Sequence, residues 1–280
     1  MAIKALLVHY DDTPSASGRL AASLALGEAL GAQVTVLCLV AEPFMGALVG
    51  KHFPAGFARQ HLAQLEEEAD ALLATARAEA ERRGVPIAVR RETGALDRLP
   101  NLLARHARHA DITLVGQADL ETGGADEALL AEAAFMDTGR PALVIPTAGA
   151  STLPPRRTIV AWDGSREAAR AAGDAVPLLQ AAEDVIVLVI DPERAAARLS
   201  NQPGTGLTGY LARHGVKARL KTVASGGMGV TEVILDQARE EAADLLVMGG
   251  YGHSRFREMM LGGVTRHMLE HAPVPVLLAH

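Results

Sequence analysis

The sequence predicts an α/β fold written twice, as two tandem doubly wound units in one chain. Three observations point there. Short β-branched, apolar runs alternate with helical segments along the chain. The strand-like runs are apolar throughout rather than alternating, as expected of parallel sheets covered by helices on both faces. The order of motifs in the first half then recurs in the second, within a 280-residue length that suits two domains.

The first run, Ala5-Leu-Leu-Val-His-Tyr-Asp11-Asp-Thr13, reads as a strand ending in Asp-x-Thr. Residues 20–41 are interrupted by Glu28 and Gln33 and change from helical to strand-like patterning near Gly31-Ala32. They therefore read as a helix followed by a strand over 34–40, and no membrane span is expected. Residues 62–83 and 99–109 read as helices, with Glu66-Glu67-Glu68 as a solvated face. The strand Ala110-Asp111-Ile-Thr-Leu-Val-Gly116 follows, and Arg140-Pro-Ala-Leu-Val-Ile145 closes the half. Residues 147–155 are rich in turn formers and have no periodicity, a linker that divides the chain into domains at 1–148 and 155–280.

The second half restarts with Thr158-Ile-Val-Ala-Trp-Asp163-Gly-Ser165, again a strand running into Asp-x-Ser. An alanine-rich helical stretch and an apolar run over 185–190 come next. Ser225-Gly226-Gly227-Met228-Gly229 precedes a helix over 230–241 and reads as turn chemistry rather than a phosphate loop. Ala243-Asp244-Leu-Leu-Val-Met-Gly249 repeats the Asp111 strand, a helix is expected over 264–271, and Val274-Pro-Val-Leu-Leu278 repeats the closing run.

Composition excludes several classes. Aromatic residues make up 3% of the chain, and 27 basic against 33 acidic residues leave no basic footprint, so no nucleic-acid partner is expected. The single cysteine, Cys38, lies in an apolar run and reads as a buried, reduced core residue. The N-terminal residues run directly into a strand without the apolar region and cleavage site of an export signal, so a cytoplasmic location is expected. His267 and His271 are four apart on a helix, but no third ligand or His-Glu-x-x-His pattern accompanies them, and no metal site is assigned.

In doubly wound sheets, ligands bind beyond the carboxyl ends of the strands, where strand order reverses. At that place in the second half stand Gly249-Gly250-Tyr251-Gly252-His253-Ser254-Arg255-Phe256-Arg257 and, before the last helix, Leu261-Gly262-Gly263-Val264-Thr265-Arg266. Glycines at a strand end and a helix start can turn several N–H groups to one point, where the helix N-terminus adds partial positive charge, a cradle suited to phosphate. Arg255, Arg257 and Arg266 stand close enough in sequence to add charge, and a solvated loop role is the simpler account of His253.

With these motifs the sequence resembles the universal stress protein family in its tandem form, along essentially the whole chain. Gly249, Gly252 and Gly262 fall at the spacing of that family's ATP-binding signature, and Val264-Thr265 follow. The resemblance implies two Rossmann-like domains, each with a mainly parallel five-stranded sheet, joined through their last strands, about Ala142 to Ile145 and Val276 to Ala279, as an internal pseudo-dimer. It implies ATP, AMP or ADP as ligand, with magnesium as a candidate companion of the phosphates. Asp163 borders the nucleoside, Val189 presents backbone to the adenine edge, and Met248 and Gly249 line the wall. Gly252, Gly262, Gly263 and Val264 bring backbone to the phosphates.

Two residues depart from the pattern. Gly263 stands where the signature has a hydroxyl, the loss of one charged-group hydrogen bond worth roughly 1.5–3 kcal/mol. Trp162 is bulky where a small or polar residue is common, and either packs over the base or partly fills the pocket.

The first half diverges further. Val115-Gly116 leads into Gln117-Ala118-Asp119-Leu120-Glu121, without the second glycine, and Ala128-Leu129 align near the Gly262-Gly263 pair. Residues 1–150 hold 13 basic and 19 acidic residues against 14 and 14 in the remainder. Side chains near Ala128-Leu129 are expected to fill the phosphate space, and Asp119, Glu121, Asp126 and Glu127 to repel an anion. No nucleotide is expected there, with Asp11 either a relic or a contact for another ligand. Three functions stand open: a nucleotide-responsive stress regulator with at most one ATP site, a scaffold with both sites lost, and a slow ATPase or nucleotidyl transferase. The partners expected are an adenine nucleotide, an unidentified protein and, for a homodimer, a second copy of the chain. No catalytic residue is assigned.

Overall fold

A computed structural model describes residues 2–43, 56–118, 125–147, 152–195, 204–251 and 263–280. The first half contains β1 (Ala5–His9), α1 (Ala16–Leu30), β2 (Gln33–Ala41), α2 (Phe57–Arg83), β3 (Ile87–Gly94), α3 (Leu99–Ala107), β4 (Ile112–Gly116), α4 (Ala125–Met136) and β5 (Ala142–Ile145). The second contains β6 (Arg157–Ala161), α5 (Arg166–Ala181), β7 (Asp184–Ile190), the short α6 (Pro192–Ala195), α7 (Thr205–Arg213), β8 (Ala218–Val223), α8 (Val230–Glu240), β9 (Leu245–Gly249), α9 (Gly263–His271) and β10 (Val276–Ala279).

Local chemistry accounts for the boundaries. Gly31 closes α1 in a left-handed conformation, φ 60°, with its N–H donated back to the Glu28 carbonyl, which is why helical patterning stops there. Gly84 ends α2 in the same way at φ 68°. Asp111 and Asp244, the matching residues of the repeat, do structural work. The Asp111 carboxylate accepts the N–H groups of Lys4 and Ala5 at 2.7 and 3.0 Å, and Asp244 accepts those of Arg156 and Arg157, each holding the incoming strand of its half.

Each half is a fully parallel five-stranded sheet, but the two are not separate. They merge into one ten-stranded sheet in the order β3-β2-β1-β4-β5-β10-β9-β6-β7-β8. At the seam β5 and β10 run antiparallel, with Leu143 opposite Leu277. Last-strand pairing is therefore the joint, and it satisfies backbone groups that would otherwise form two exposed edges.

Helices cover both faces. One core layer gathers α1, α2, α5 and α7, the other α3, α4, α8 and α9, and each layer contains residues of both halves. Cys38 is buried in the first of these, and burial pushes its thiol up to about 11. Among the described residues no helix is long and apolar enough to cross a membrane.

Candidate functional site

Strand order reverses between β1 and β4 in the first half and between β6 and β9 in the second. The repeated Asp-x-Ser/Thr motif lies at the ends of β1 and β6. In the first half, the Thr13 N–H and hydroxyl donate to Asp11 Oδ1 at 3.1 and 2.5 Å. In the second, the Ser165 N–H donates to Asp163 Oδ1 at 2.9 Å, while Ser165 Oγ caps α5 by accepting the Ala168 N–H at 3.1 Å. The motif is thus an Asx turn that launches a helix, and it sets the aspartate at the strand end whether or not a ligand is bound.

The first-half site is filled from within. Arg19, on α1, is 1% exposed; its Nε donates to the His9 carbonyl at 2.6 Å and its Nη2 to Asp11 Oδ2 at 2.7 Å. The guanidinium lies on the face of Gly116, where any side chain at that position would collide with it. His9 Nδ1 stands 3.3 Å from the same Asp11 oxygen. Burial, with Arg19 adding to it, lowers the His9 imidazole to about 4 despite Asp11, so it is neutral at neutral pH. Burial alone would raise the Asp11 carboxyl, but Arg19, His9 and Thr13 outweigh it and hold the group below its ordinary value. Asp11 is therefore a partner in a closed internal ion pair.

Leu129 on α4 is 53% exposed, whereas the buried cation at the end of β1 comes from α1. Asp119 and Glu121 lie outside the described residues. A cavity of about 420 Å³ opens along α1 from Pro14-Ser15, with Ser17, Arg83 and Ile145–Thr147 also in its lining.

In the second half, Asp163 is exposed at the end of β6, and Met248 and Gly249 end β9 beside it, with Met248 buried. Gly249 has a packing duty: a Cβ there would stand 2.5 Å from the Ala168 nitrogen, so α5 sits directly on it. Val189 is fully buried inside the β7–β8 ladder, opposite Thr222, and the pairing continues beyond it to Ile190. Gly263 and Val264 begin α9, and no atom lies within 4 Å of a Cβ placed on Gly263. Gly252, Gly262, His253, Arg255 and Arg257 lie outside the described residues. Trp162 is half-buried against the core, and its backbone N–H donates to the Leu188 carbonyl at 2.9 Å.

Arg266 is committed elsewhere, paired with Glu270 at 2.7 Å on the same helix. The His267 and His271 rings stack at 4.5 Å. Among the described residues no three His, Cys, Asp or Glu side chains gather in a metal-binding group. The glycine-rich stretch at 225–229 is a turn: Gly226 and Gly227 have φ of 61° and 91°, and Ser225 donates its N–H and hydroxyl to Asp191, both at 2.8 Å.

Sequence reasoning passed over three residues. Arg19 is one. Glu167 is another, a buried carboxylate in the first turn of α5 bonded by Arg166 at 2.5 Å, which holds it low although burial pushes it up. The third is Phe135 on α4, fully buried and packed over Gly250 of the opposite half. Arg19 alone had a readable signal: the residue eight positions after the aspartate is Arg19 in one repeat and Ala171 in the other.

Comparisons with known proteins agree with this architecture. The model of the universal stress protein family matches residues 155–280. A universal stress protein of Synechocystis sp. is 41% identical over 46 residues, 16% of this chain and 16% of that protein's length. The match thus spans about a sixth of the curated relative. Among solved structures, a universal stress protein from Archaeoglobus fulgidus has a TM-score of 0.73 at 16% identity, covering 98% of this chain and 95% of that one. A functionally unknown protein from Pseudomonas aeruginosa has a TM-score of 0.58 at 13% identity, covering 99% and 92%. At these identities the structural likeness establishes the fold.

Proposed function

Residues 155–280 match the universal stress protein family, and from that premise we propose that the chain is a nucleotide-responsive stress regulatory protein whose second half alone takes ATP, AMP or ADP. The observation that carries the reading is the open head of α9: no atom lies within 4 Å of a Cβ placed on Gly263. The N–H groups of the first turn of α9, a helix of nine residues, and its positive end suit a phosphate. Asp163 borders the nucleoside, and Met248 and Gly249 form the wall; Val189, fully buried in the β7–β8 ladder, offers no surface to the adenine, and the resemblance assigns Gly252, Gly262, Gly263 and Val264 to the phosphates. Magnesium, when bound, would offset phosphate charge. Domains at 1–148 and 155–280, a cytoplasmic location, a protein partner and a homodimer belong to the same proposal.

Calorimetry of the full chain with ATP and AMP at millimolar concentration tests it. Binding is expected to weaken with Asp163→Ala and tighten with Gly263→Ser. No binding heat from either nucleotide would sink the reading.

One observation favours the scaffold alternative. The open faces of Gly249 and Gly250 are taken by protein atoms, α5 on one and Phe135 on the other, each within 2.5 Å of a Cβ. A scaffold predicts that Asp163→Ala leaves partner binding intact and that the wild type takes no nucleotide.

A further inference from the structure

At the seam of the sheet, the segment after the fourth strand of each half docks on the last helix of the other. In the first half, Gln117 Nε2 donates to the Ala272 carbonyl at 2.9 Å and the Ala118 N–H to the Leu269 carbonyl at 3.2 Å, both at α9. In the second half, the corresponding residues are Gly250 and Tyr251, and they meet α4. Phe135 lies so close to Gly250 that a Cβ there would stand 2.5 Å from its ring. The Tyr251 ring stacks on Phe135 with centroids 5.7 Å apart and planes 20° from parallel.

Tyr251 has φ 53°, a left-handed conformation that bulky residues seldom hold unless their surroundings impose it. Three backbone tethers come from its own half. The Gly250 N–H donates to the Ala279 carbonyl at 2.9 Å, the Gly250 carbonyl lies 3.1 Å from His280 Nδ1, and the Tyr251 N–H donates to Thr265 Oγ1, inside α9, at 3.1 Å. The side-chain tether, the stacked ring, comes from the other half.

We propose that Phe135, in the half whose own site is closed by Arg19, is a positioning residue for nucleotide binding in the opposite half. Its ring holds Tyr251 in the left-handed turn and thereby fixes the direction in which the chain leaves β9 and the seating of Thr265 at the head of α9. The ligand class, an adenine nucleotide, rests on the function proposed above. Without the ring, Tyr251 relaxes toward ordinary backbone conformations, and the ligand bears the cost of reordering the site. The first half is in this sense a working part of the second half's site.

Phe135→Leu, Tyr251→Leu and the double variant of the full chain test the idea, with Tyr251→Phe as the variant that retains stacking. Amide hydrogen exchange without nucleotide reads the positioning directly. Each leucine variant is expected to speed exchange at Gly250–Tyr251 and Gly263–Arg266 by about two- to tenfold. The double variant adds little beyond the larger single effect, and Tyr251→Phe leaves exchange unchanged. ATP affinity falls by a similar factor in the leucine variants. Exchange that is unchanged at these amides, or that rises equally in β7 and β8, overturns the proposal. Failure of the wild type to bind nucleotide overturns the functional reading instead, and the exchange result still decides whether Phe135 positions the turn.

Discussion

At the end of β1 the fold closes on itself around Arg19, while at the end of β6 the matching helix position is Ala171 and the aspartate of the pair, Asp163, is exposed. The two halves otherwise share strand order, the Asx turn and the strand-holding aspartate. The helix position eight residues after the aspartate is thus a buried cation in one half and a buried alanine in the other. A buried guanidinium is stable only when its partners are present, so Arg19 is tied to the Asp11 carboxylate and the His9 carbonyl.

The largest test of this contrast is Arg19→Ala, which removes a fully buried guanidinium and leaves the partly buried Asp11 carboxylate without its ion-pair partner. Denaturant unfolding should show a loss of roughly 3–5 kcal/mol, the range for breaking a buried pair. The matching change in the second half, Ala171→Arg, forces a long side chain into a fully buried alanine position and should also destabilise. A loss below about 1 kcal/mol for Arg19→Ala would refute the closed-pair account.

The next effect is on pH. The folded His9 value of about 4 lies below the ordinary 6.5, so the unfolded chain takes up the proton first as pH falls. The stability contribution is complete above pH 6.5 and is lost progressively down to about 4. Asp11, held below 3.8, continues the loss in more acidic solution. Unfolding measured across this range should slope accordingly, and His9→Gln should flatten the upper part of the curve.

A smaller effect separates the glycines of the second half. Gly249→Ala forces a methyl to 2.5 Å from the backbone of α5 and should cost about 1–3 kcal/mol in thermal or chemical unfolding. Gly263→Ala faces open space in a helix and should leave stability unchanged or raise it by up to ~1 kcal/mol. Equal costs at the two positions would dissolve the distinction between a packing glycine and a site glycine. Smallest in free energy is Gly263→Ser, for which calorimetry should show ATP binding tightened by about tenfold, the value of one restored hydrogen bond to a charged group.

Alternating apolar and helical segments, the duplication and the turn at 225–229 were legible because each rests on local chemistry or on a pattern repeated in the chain, whereas the last-strand joint was implied by the family resemblance alone. Gly31 stops a helix through its own backbone, and Asp11 and Asp163 form Asx turns with residues two positions on. Long-range proximity left no such trace. An arginine in an alanine-rich helix reads as solvated until β4 is brought beside it with Gly116 at the point of contact. Gly249 looks the same in sequence whether its open face meets a phosphate or the backbone of α5.

The sequence by itself therefore determined the α/β class, the two-fold repetition and the places where a ligand site could lie, since periodicity and turn preference act within a few residues. Only the tertiary structure decided that the two sheets are one, that the first site is occupied by Arg19, and that Phe135 reaches across the seam to Tyr251. Those outcomes depend on which side chains share a volume too small for both a ligand and a guanidinium, or for a ring and a Cβ, and close packing settles such competition only once the chain is folded.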